Sequence, residues 1–315
     1  MRKTGFSILL AACLLISSFS AAEGYPPLDM DSTAVAPAPK DECYLSDNEY
    51  LDDTIHVTLD EGEFEGVHYT LAHITVSDPS QLRTVPATMV NVPGAPFSAW
   101  TSSVAPAGRI AQVSNAVVAV NGDFVCITKI CKIALRQGKQ LRNLGNGHFD
   151  VLVIDRNGDF SVLPECTREM YENYYNEHAA SMYQAFCFGP ALVIDGKSAV
   201  PEKYRNEYVI AETLTQRAAL CQIGPLEYAI VTSDGDVAFN SFGLTVHAFS
   251  RLCEEIGYRF SPDGFKVAYN LDGGNSATLV FKRRDGDGNL TYQKLNMPER
   301  ERDLADMVCF VSLVP

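Results

Sequence analysis

The sequence predicts a mixed α/β (α+β) domain, strand-rich with a few helices, on three observations. Short apolar runs separated by Gly, Asp and Asn recur from Thr54 onward, at strand rather than helix length. Only Thr245 to Gly257 repeats its apolar residues at helical spacing over several turns. No second Pro/Ser linker and no fixed repeat interrupts this stretch, and about 260 residues is near the upper size for one core.

The first elements are set by charge and composition. Arg2 and Lys3 precede an apolar run from Phe6 to Phe19, and Ser20 and Ala22 occupy the −3 and −1 places before Glu23. Residues 1–22 are therefore expected to be a secretory signal. The run is short for a membrane helix, which needs about 20 residues. Leu10-Ala11-Ala12-Cys13 also resembles a lipoprotein box, but cleavage there would leave Leu14-Leu15-Ile16 where a polar tether normally begins. Residues 23–55, rich in Pro, Asp, Ser and Ala, are expected to be a flexible tether, and residues 56–315 the domain.

Within the domain, strands are expected at Val67 to Val76, Ala116 to Asn121, Val151 to Ile154, Phe160 to Leu163 and Ala191 to Ile194. Others follow at Arg217 to Ile223, Tyr228 to Thr232, Lys266 to Leu271, Ala277 to Phe281 and Met307 to Leu313. Asp155-Arg156-Asn157-Gly158-Asp159 is a hairpin signal. The helix carries Val246, Phe249, Leu252, Cys253 and Ile256 on one face, with Thr245 as N-cap and Gly257 as C-cap. A weaker helix is expected from Ala107 to Asn115.

Composition narrows the function classes. The formal charge is −14, and losing Arg2 and Lys3 with the signal, and no acid, takes it to −16. Such a chain is repelled by nucleic acid and by anionic membranes, so membrane contact is expected only through an uncleaved or lipidated N-terminus. Nine cysteines leave an even mature set once Cys13 is set aside, compatible with disulfides in an oxidising compartment or with buried thiols. At least one bonded pair is expected, with Cys126–Cys131 the candidate. No CxxC and no HxH or HxxxH spacing appears, so neither a metal nor another cofactor is expected. Asp285-Gly286-Asp287-Gly288-Asn289 resembles a calcium loop, but Asn296 stands where its bidentate Glu belongs, so a hairpin turn is expected. No Gly-x-Ser-x-Gly elbow supports a serine esterase. Tyr171, Tyr174, Tyr175 and Tyr183 suit either sugar stacking or packing.

Four segments carry polar residues at strand ends. Asn270-Leu271-Asp272-Gly273-Gly274-Asn275-Ser276 leaves an apolar strand through two glycines, whose amides suit an anion nest. Val117-Val118-Ala119-Val120-Asn121-Gly122-Asp123 repeats that design. Gly189-Pro190-Ala191-Leu192-Val193 turns into a strand, and Arg217-Ala218-Ala219 opens another.

In this order the four segments resemble the phosphodiester glycosidase domain family, which includes N-acetylglucosamine-1-phosphodiester α-N-acetylglucosaminidases and exported bacterial proteins linked to exopolysaccharide. Ser241-Phe242-Gly243-Leu244-Thr245 is similar to the family's Gly-Leu-Thr helix start, and Pro298 to Asp306 to its closing segment. Asp123 and Asn275 stand where the family usually has Gly. The resemblance implies a hydrolase acting outside the cytoplasm on a sugar-1-phosphodiester or cell-surface glycan, with Asp272 as a catalytic carboxylate. Asp123 is this sequence's own candidate partner carboxylate. Arg217 and the Gly273 and Gly274 amides are expected to hold phosphate, Asn121 and Asn270 to orient sugar or phosphate, and Ser276 to bind phosphate or cap the turn. These residues are expected around one cleft. The departures at Asp123 and Asn275 keep open an inactive polysaccharide-binding or exopolysaccharide-assembly protein. A metal-dependent phosphodiesterase breaking P–O is the further rival.

Overall fold

Apolar runs of strand length assemble into three antiparallel sheets in the computed structural model, which describes residues 24–33, 35–92, 103–123, 132–143, 147–206, 209–235 and 242–315. The chain begins with β1 (Tyr44–Ser46), β2 (Glu49–Leu51), β3 (Ile55–Phe64), β4 (Val67–Val76) and β5 (Leu82–Pro86). Helices α1 (Thr88–Asn91) and α2 (Ala107–Val113) lead into β6 (Ala116–Asn121). Next come β7 (Ile133–Arg136), β8 (Lys139–Asn143), β9 (Phe149–Asp155), β10 (Phe160–Cys166), α3 (Arg168–His178) and β11 (Met182–Phe186). The last part holds β12 (Ala191–Ile194), β13 (Lys197–Ser198), β14 (Arg217–Gly224), β15 (Glu227–Ser233) and α4 (Val246–Phe260). It closes with β16 (Val267–Asn270), β17 (Leu279–Arg284), β18 (Leu290–Lys294) and β19 (Asp306–Val311).

The large sheet runs β1-β2-β3-β4-β15-β14-β16-β12-β13, and the others β10-β9-β11-β7-β8 and β18-β17-β6-β19-β5. The main core forms where the three meet: Ile55, Ile74, Leu220 and Ile230 pack with Val118, Leu279 and Phe310, and with Leu152 and Phe186. The opposite face of the large sheet is covered by α4 through Val246, Phe249, Leu252, Cys253 and Ile256. Helix α2 covers the outer face of the β6 sheet with Ala107, Ile110 and Ala111. Strand β6 is thus covered on both faces, and all six of its residues are buried. Continuous apolar sequence, rather than alternation, is what such burial demands.

The mixed, strand-rich class stands, and the expected strands at Val67 to Val76, Ala116 to Asn121 and Ala191 to Ile194 keep their bounds. Thr245 caps α4, its hydroxyl accepting from the Ala248 amide at 3.1 Å. Gly257, expected to end that helix, lies inside it and serves packing instead, since a Cβ there would sit 2.5 Å from the Phe265 nitrogen. Asp285 to Asn289 is the β17–β18 hairpin turn, with the Asp285 carboxylate accepting from the amides of Asp287 and Asn289 at 2.9 Å. Tyr171 and Tyr183 are buried, with Tyr171 packed in the core beneath α3, which answers the packing reading.

The tether reading of residues 23–55 fails within the described part. Strands β1 and β2 extend the large sheet, and Tyr44 and Tyr50 are core residues. Upstream, Arg83 donates to the carbonyls of Asp29 and Ser32 at 3.2 and 2.6 Å, and Asn115 to that of Ala36 at 2.8 Å. Beyond its few apolar residues the segment is held by donors from distant residues, which its composition does not record. No disulfide joins any two of the described mature cysteines, Cys43, Cys166, Cys187, Cys221, Cys253 and Cys309. Cys126–Cys131 and the expected signal lie outside the described residues. No helix among the described residues is long and apolar enough to cross a membrane.

Gly257→Ala sets helix propensity, which favours Ala by about 1 kcal/mol, against overpacking at Phe265. Backbone atoms at 2.5 Å cannot yield cheaply, so overpacking wins. Urea denaturation is expected to show a net loss of about 1–3 kcal/mol, while Gly286→Ala, with nothing within 4 Å, changes little. A stabilised Gly257→Ala would contradict this packing.

Candidate active site

Strand β16 delivers the site. Its four residues are buried, and beyond it the Leu271 amide still pairs with the Ala218 carbonyl of β14 at 2.9 Å. The chain then turns hard against β14. Gly274 has φ +60°, and a Cβ on Gly273 would lie 2.9 Å from the Gln216 carbonyl, so the close approach requires glycine. The turn places Asp272 in a cleft of about 260 Å³, lined also by Thr213, Thr215, Arg217, Gly273 and Gly274 and by the apolar Phe188, Val209 and Ile210.

Asp272 is half-buried as a residue, but its carboxyl group is enclosed, and burial pushes its pKa up to about 6. The Ser276 hydroxyl, the Arg302 charge and the Gly273 amide all pull the other way without offsetting burial, while the Asp123 charge adds to the rise. Arg302 Nη1 in turn donates to Ser276 Oγ at 3.3 Å, so Ser276 links Asp272 to a cation. Ser276 therefore orients the carboxylate.

Arg217 is the cleft's cation. Its Nε donates to the Leu244 carbonyl at 3.1 Å and its Nη2 to that of Thr213 at 2.6 Å, which fix the fork in place. Nη1 lies 3.9 Å from the Cβ position of Gly273. Burial alone lowers its pKa, to about 10, and among the described residues no carboxylate is paired with it. It stays charged at neutral pH, so the cleft presents a desolvated cation beside a carboxyl group of raised pKa.

Three expected roles need correction. Asp123 is fully buried and ion-paired to Arg136, and its other oxygen accepts from the Cys187 amide at 2.9 Å. Arg136 Nε also reaches Asp306 at 3.2 Å. Asp123 belongs to this buried ion cluster and does not line the cleft, so it is not placed to act on a substrate. Asn121 likewise faces inward: its Nδ2 donates to the carbonyls of Gly122 and Asp272 at 3.0 and 2.8 Å, and its Oδ1 accepts from the Thr278 amide at 3.0 Å. The Gly273 and Gly274 amides form no anion nest, because the first serves the Asp272 carboxylate and the second the Gln216 carbonyl at 2.9 Å. Asn270 donates to the Gly189 carbonyl at 2.7 Å, leaving a buried Oδ1 without a partner among the described residues.

The expected single cleft thus gathers Arg217, Asp272, Gly273 and Gly274, with Asn121, Asn270 and Ser276 holding it from behind. Arg136 and Asp306 were not singled out, although a charge closing the apolar run Ile133-Ala134-Leu135-Arg136 was a legible sign of a buried ion. The apolar lining had no sequence signal, since Phe188 and the pair Val209-Ile210 come from separate segments.

A sequence model of the family described as phosphodiester glycosidase matches residues 114–311. Among solved structures, a hypothetical protein from Synechocystis matches with 14% identity and a TM-score of 0.47 over 82% of this chain. The chain spans 62% of that protein, less than two thirds of its length. A Burkholderia pseudomallei protein described as exported matches with 12% identity and a TM-score of 0.46, covering 78% of this chain and 75% of that one. No curated protein matched.

Asp272 gives a pH signature of definite sign. Its carboxyl rises from 3.8 in the unfolded reference to about 6 in the fold, so the native state binds more protons between those values. Folding stability should therefore fall as pH rises through that window, by on the order of 3 kcal/mol from this group, and stay low above it. Asp272→Asn removes this contribution, so its urea midpoint should exceed that of the wild type at pH 7 and approach it near pH 4. A variant less stable than wild type at pH 7 would contradict the burial of this charge.

Proposed function

The chain belongs to the phosphodiester glycosidase family, and we propose that it hydrolyses a sugar-1-phosphodiester by breaking the bond between the anomeric carbon and oxygen. The observation that supports this reading is the pairing, in one cleft, of an enclosed carboxyl group near pKa 6 with a buried guanidinium that no acid among the described residues neutralises.

In this reading the phosphodiester sits at Arg217 and the anomeric carbon faces Asp272. Water attacks that carbon while Asp272 takes its proton, a transfer suited to a base whose pKa lies close to neutral. The new bond joins water's oxygen to the sugar. The old C–O bond breaks with its electron pair staying on the phosphate, which departs as a monoester. Such a leaving group is already a weak base and needs charge stabilisation more than a proton, and Arg217 supplies it. A single working carboxylate is therefore sufficient, which accommodates the withdrawal of Asp123 into the ion cluster. Ser276 and Arg302 keep Asp272 oriented. The secretory-type segment 1–22 supports action outside the cytoplasm, on a cell-surface or extracellular glycan.

The buried Asp123 also supports a second reading, a glycan-binding protein without turnover, since two-carboxylate glycosidases need both groups at the bond. Hydrolysis of a panel of sugar-1-phosphodiesters in oxygen-18 water separates the readings. The expected result is label in the released sugar and an unlabelled phosphate monoester. Arg217→Gln should lower kcat/KM by about 100-fold to 1,000-fold. Label in phosphate would assign P–O cleavage, and binding without release would favour the second reading.

A further inference from the structure

We infer that the group carried on the far side of the phosphate is an apolar chain, making the substrate an amphiphilic sugar phosphodiester. The inference rests on the glycosidase reading of the cleft and adds the class of its aglycone.

Large apolar side chains exposed to water are scattered over most of the surface, as with Leu45 and Leu51 on β1 and β2 and Tyr258 on α4. Three lie on the cleft lining or on the segments bound to it. Ile210 lines the cleft and is 44% exposed. Leu214, 53% exposed, stands between the lining residues Thr213 and Thr215. Phe242, 59% exposed, precedes Gly243, whose Cβ position lies 2.2 Å from the Thr215 carbonyl. Thr215 and Leu244 exchange backbone hydrogen bonds at 3.0 and 3.4 Å, which fix the Phe242 side against the Leu214 side.

Charge gives the patch a direction. Arg217 lines the cleft together with Asp272 and holds the Thr213 carbonyl, so the cleft's cation is fixed to the segment carrying Leu214. With its sugar at Asp272 and its phosphate at Arg217, a ligand has its remaining substituent within reach of the segments that carry Ile210, Leu214 and Phe242. Covering these side chains with a hydrocarbon releases their hydration water and gains affinity in proportion to the area removed. A bare phosphate, a peptide or a polar sugar would leave the patch wet, whereas an apolar chain joined to an anion matches both ends.

Calorimetric titration of the full chain with methyl phosphate and with hexyl phosphate tests the inference without requiring turnover. Hexyl phosphate should bind at least about tenfold more tightly, with a more negative heat-capacity change. Leu214→Ser with Phe242→Ser should reduce that ratio to about twofold or less, while Leu45→Ser keeps it. Arg217→Gln should weaken both ligands. Equal affinity for the two ligands, or a ratio untouched by the double substitution, would overturn the inference. Sedimentation that shows the wild type self-associating through this patch, and the double variant monomeric, would assign it to a second copy and overturn it as well. The chain-length ratio decides the aglycone, whereas sugar release decides the glycosidase reading, so the two fail separately.

Discussion

Asn121 carries three hydrogen bonds, two of which, to the Asp272 carbonyl and from the Thr278 amide, join the end of β6 to the connection leaving β16, and so tie the middle of one sheet to the interior of another. Around it the backbone closes the same joint, with the Asp272 amide on the Gly122 carbonyl at 3.2 Å and the Gly122 amide on the Asp306 carbonyl at 3.1 Å. One residue on, Asp123 reaches Arg136 and the Cys187 amide, which belong to the third sheet and its exit. All three sheets thus meet at Asn121-Gly122-Asp123. Gly122 is required there, because a Cβ would lie 2.2 Å from an Asp306 oxygen. Buried hydrogen bonds contribute only about 1 kcal/mol each, but losing one partner strands the other at a cost of about 1–3 kcal/mol, so such a joint tolerates little change.

This joint divides the labour between two carboxylates that the sequence presents alike. Asp123 and Asp272 both follow an apolar strand and an Asn. The first is neutralised by Arg136 inside the protein, in a cluster where burial also pushes the Asp306 pKa upward against the pull of that arginine. The second is enclosed without a direct ion pair among the described residues, receives two hydrogen bonds, and opens onto the cleft holding Arg217. Distance from a cation, rather than sequence context, decides which group is structural and which is chemically poised.

Much of this was legible in the residues. The β4, β6 and β12 bounds and the α4 cap follow from periodicity and cap chemistry, and the gathering of Arg217, Asp272, Gly273 and Gly274 from strand-end polarity read together with the family resemblance. What escaped depends on partners far along the chain. Residues 24–53 look unstructured until Arg83 and Asn115 are seen to hold their carbonyls. Strand β3 carries acids and Gly62 in its outer half, which blurs its alternation although Ile55, Val57 and Leu59 all point inward. Asp123 resembled a catalytic group because Arg136 lies on another strand. Gly257 resembled a helix stop because Phe265, which demands its missing side chain, comes after the helix.

The central claim is that Asp272 works in the cleft while Asp123 works in the fold. Its most direct test compares Asp123→Asn with Asp272→Asn for urea stability and for turnover of a sugar-1-phosphodiester. The account predicts that Asp123→Asn turns an amide NH2 toward either Arg136 or the Cys187 amide and costs about 1–3 kcal/mol for the unmade buried hydrogen bond, while Asp306 still offsets the Arg136 charge. It predicts that Asp272→Asn folds at least as well as the wild type and turns nothing over. A stable Asp123→Asn without activity, beside an Asp272→Asn that still hydrolyses substrate, would contradict it.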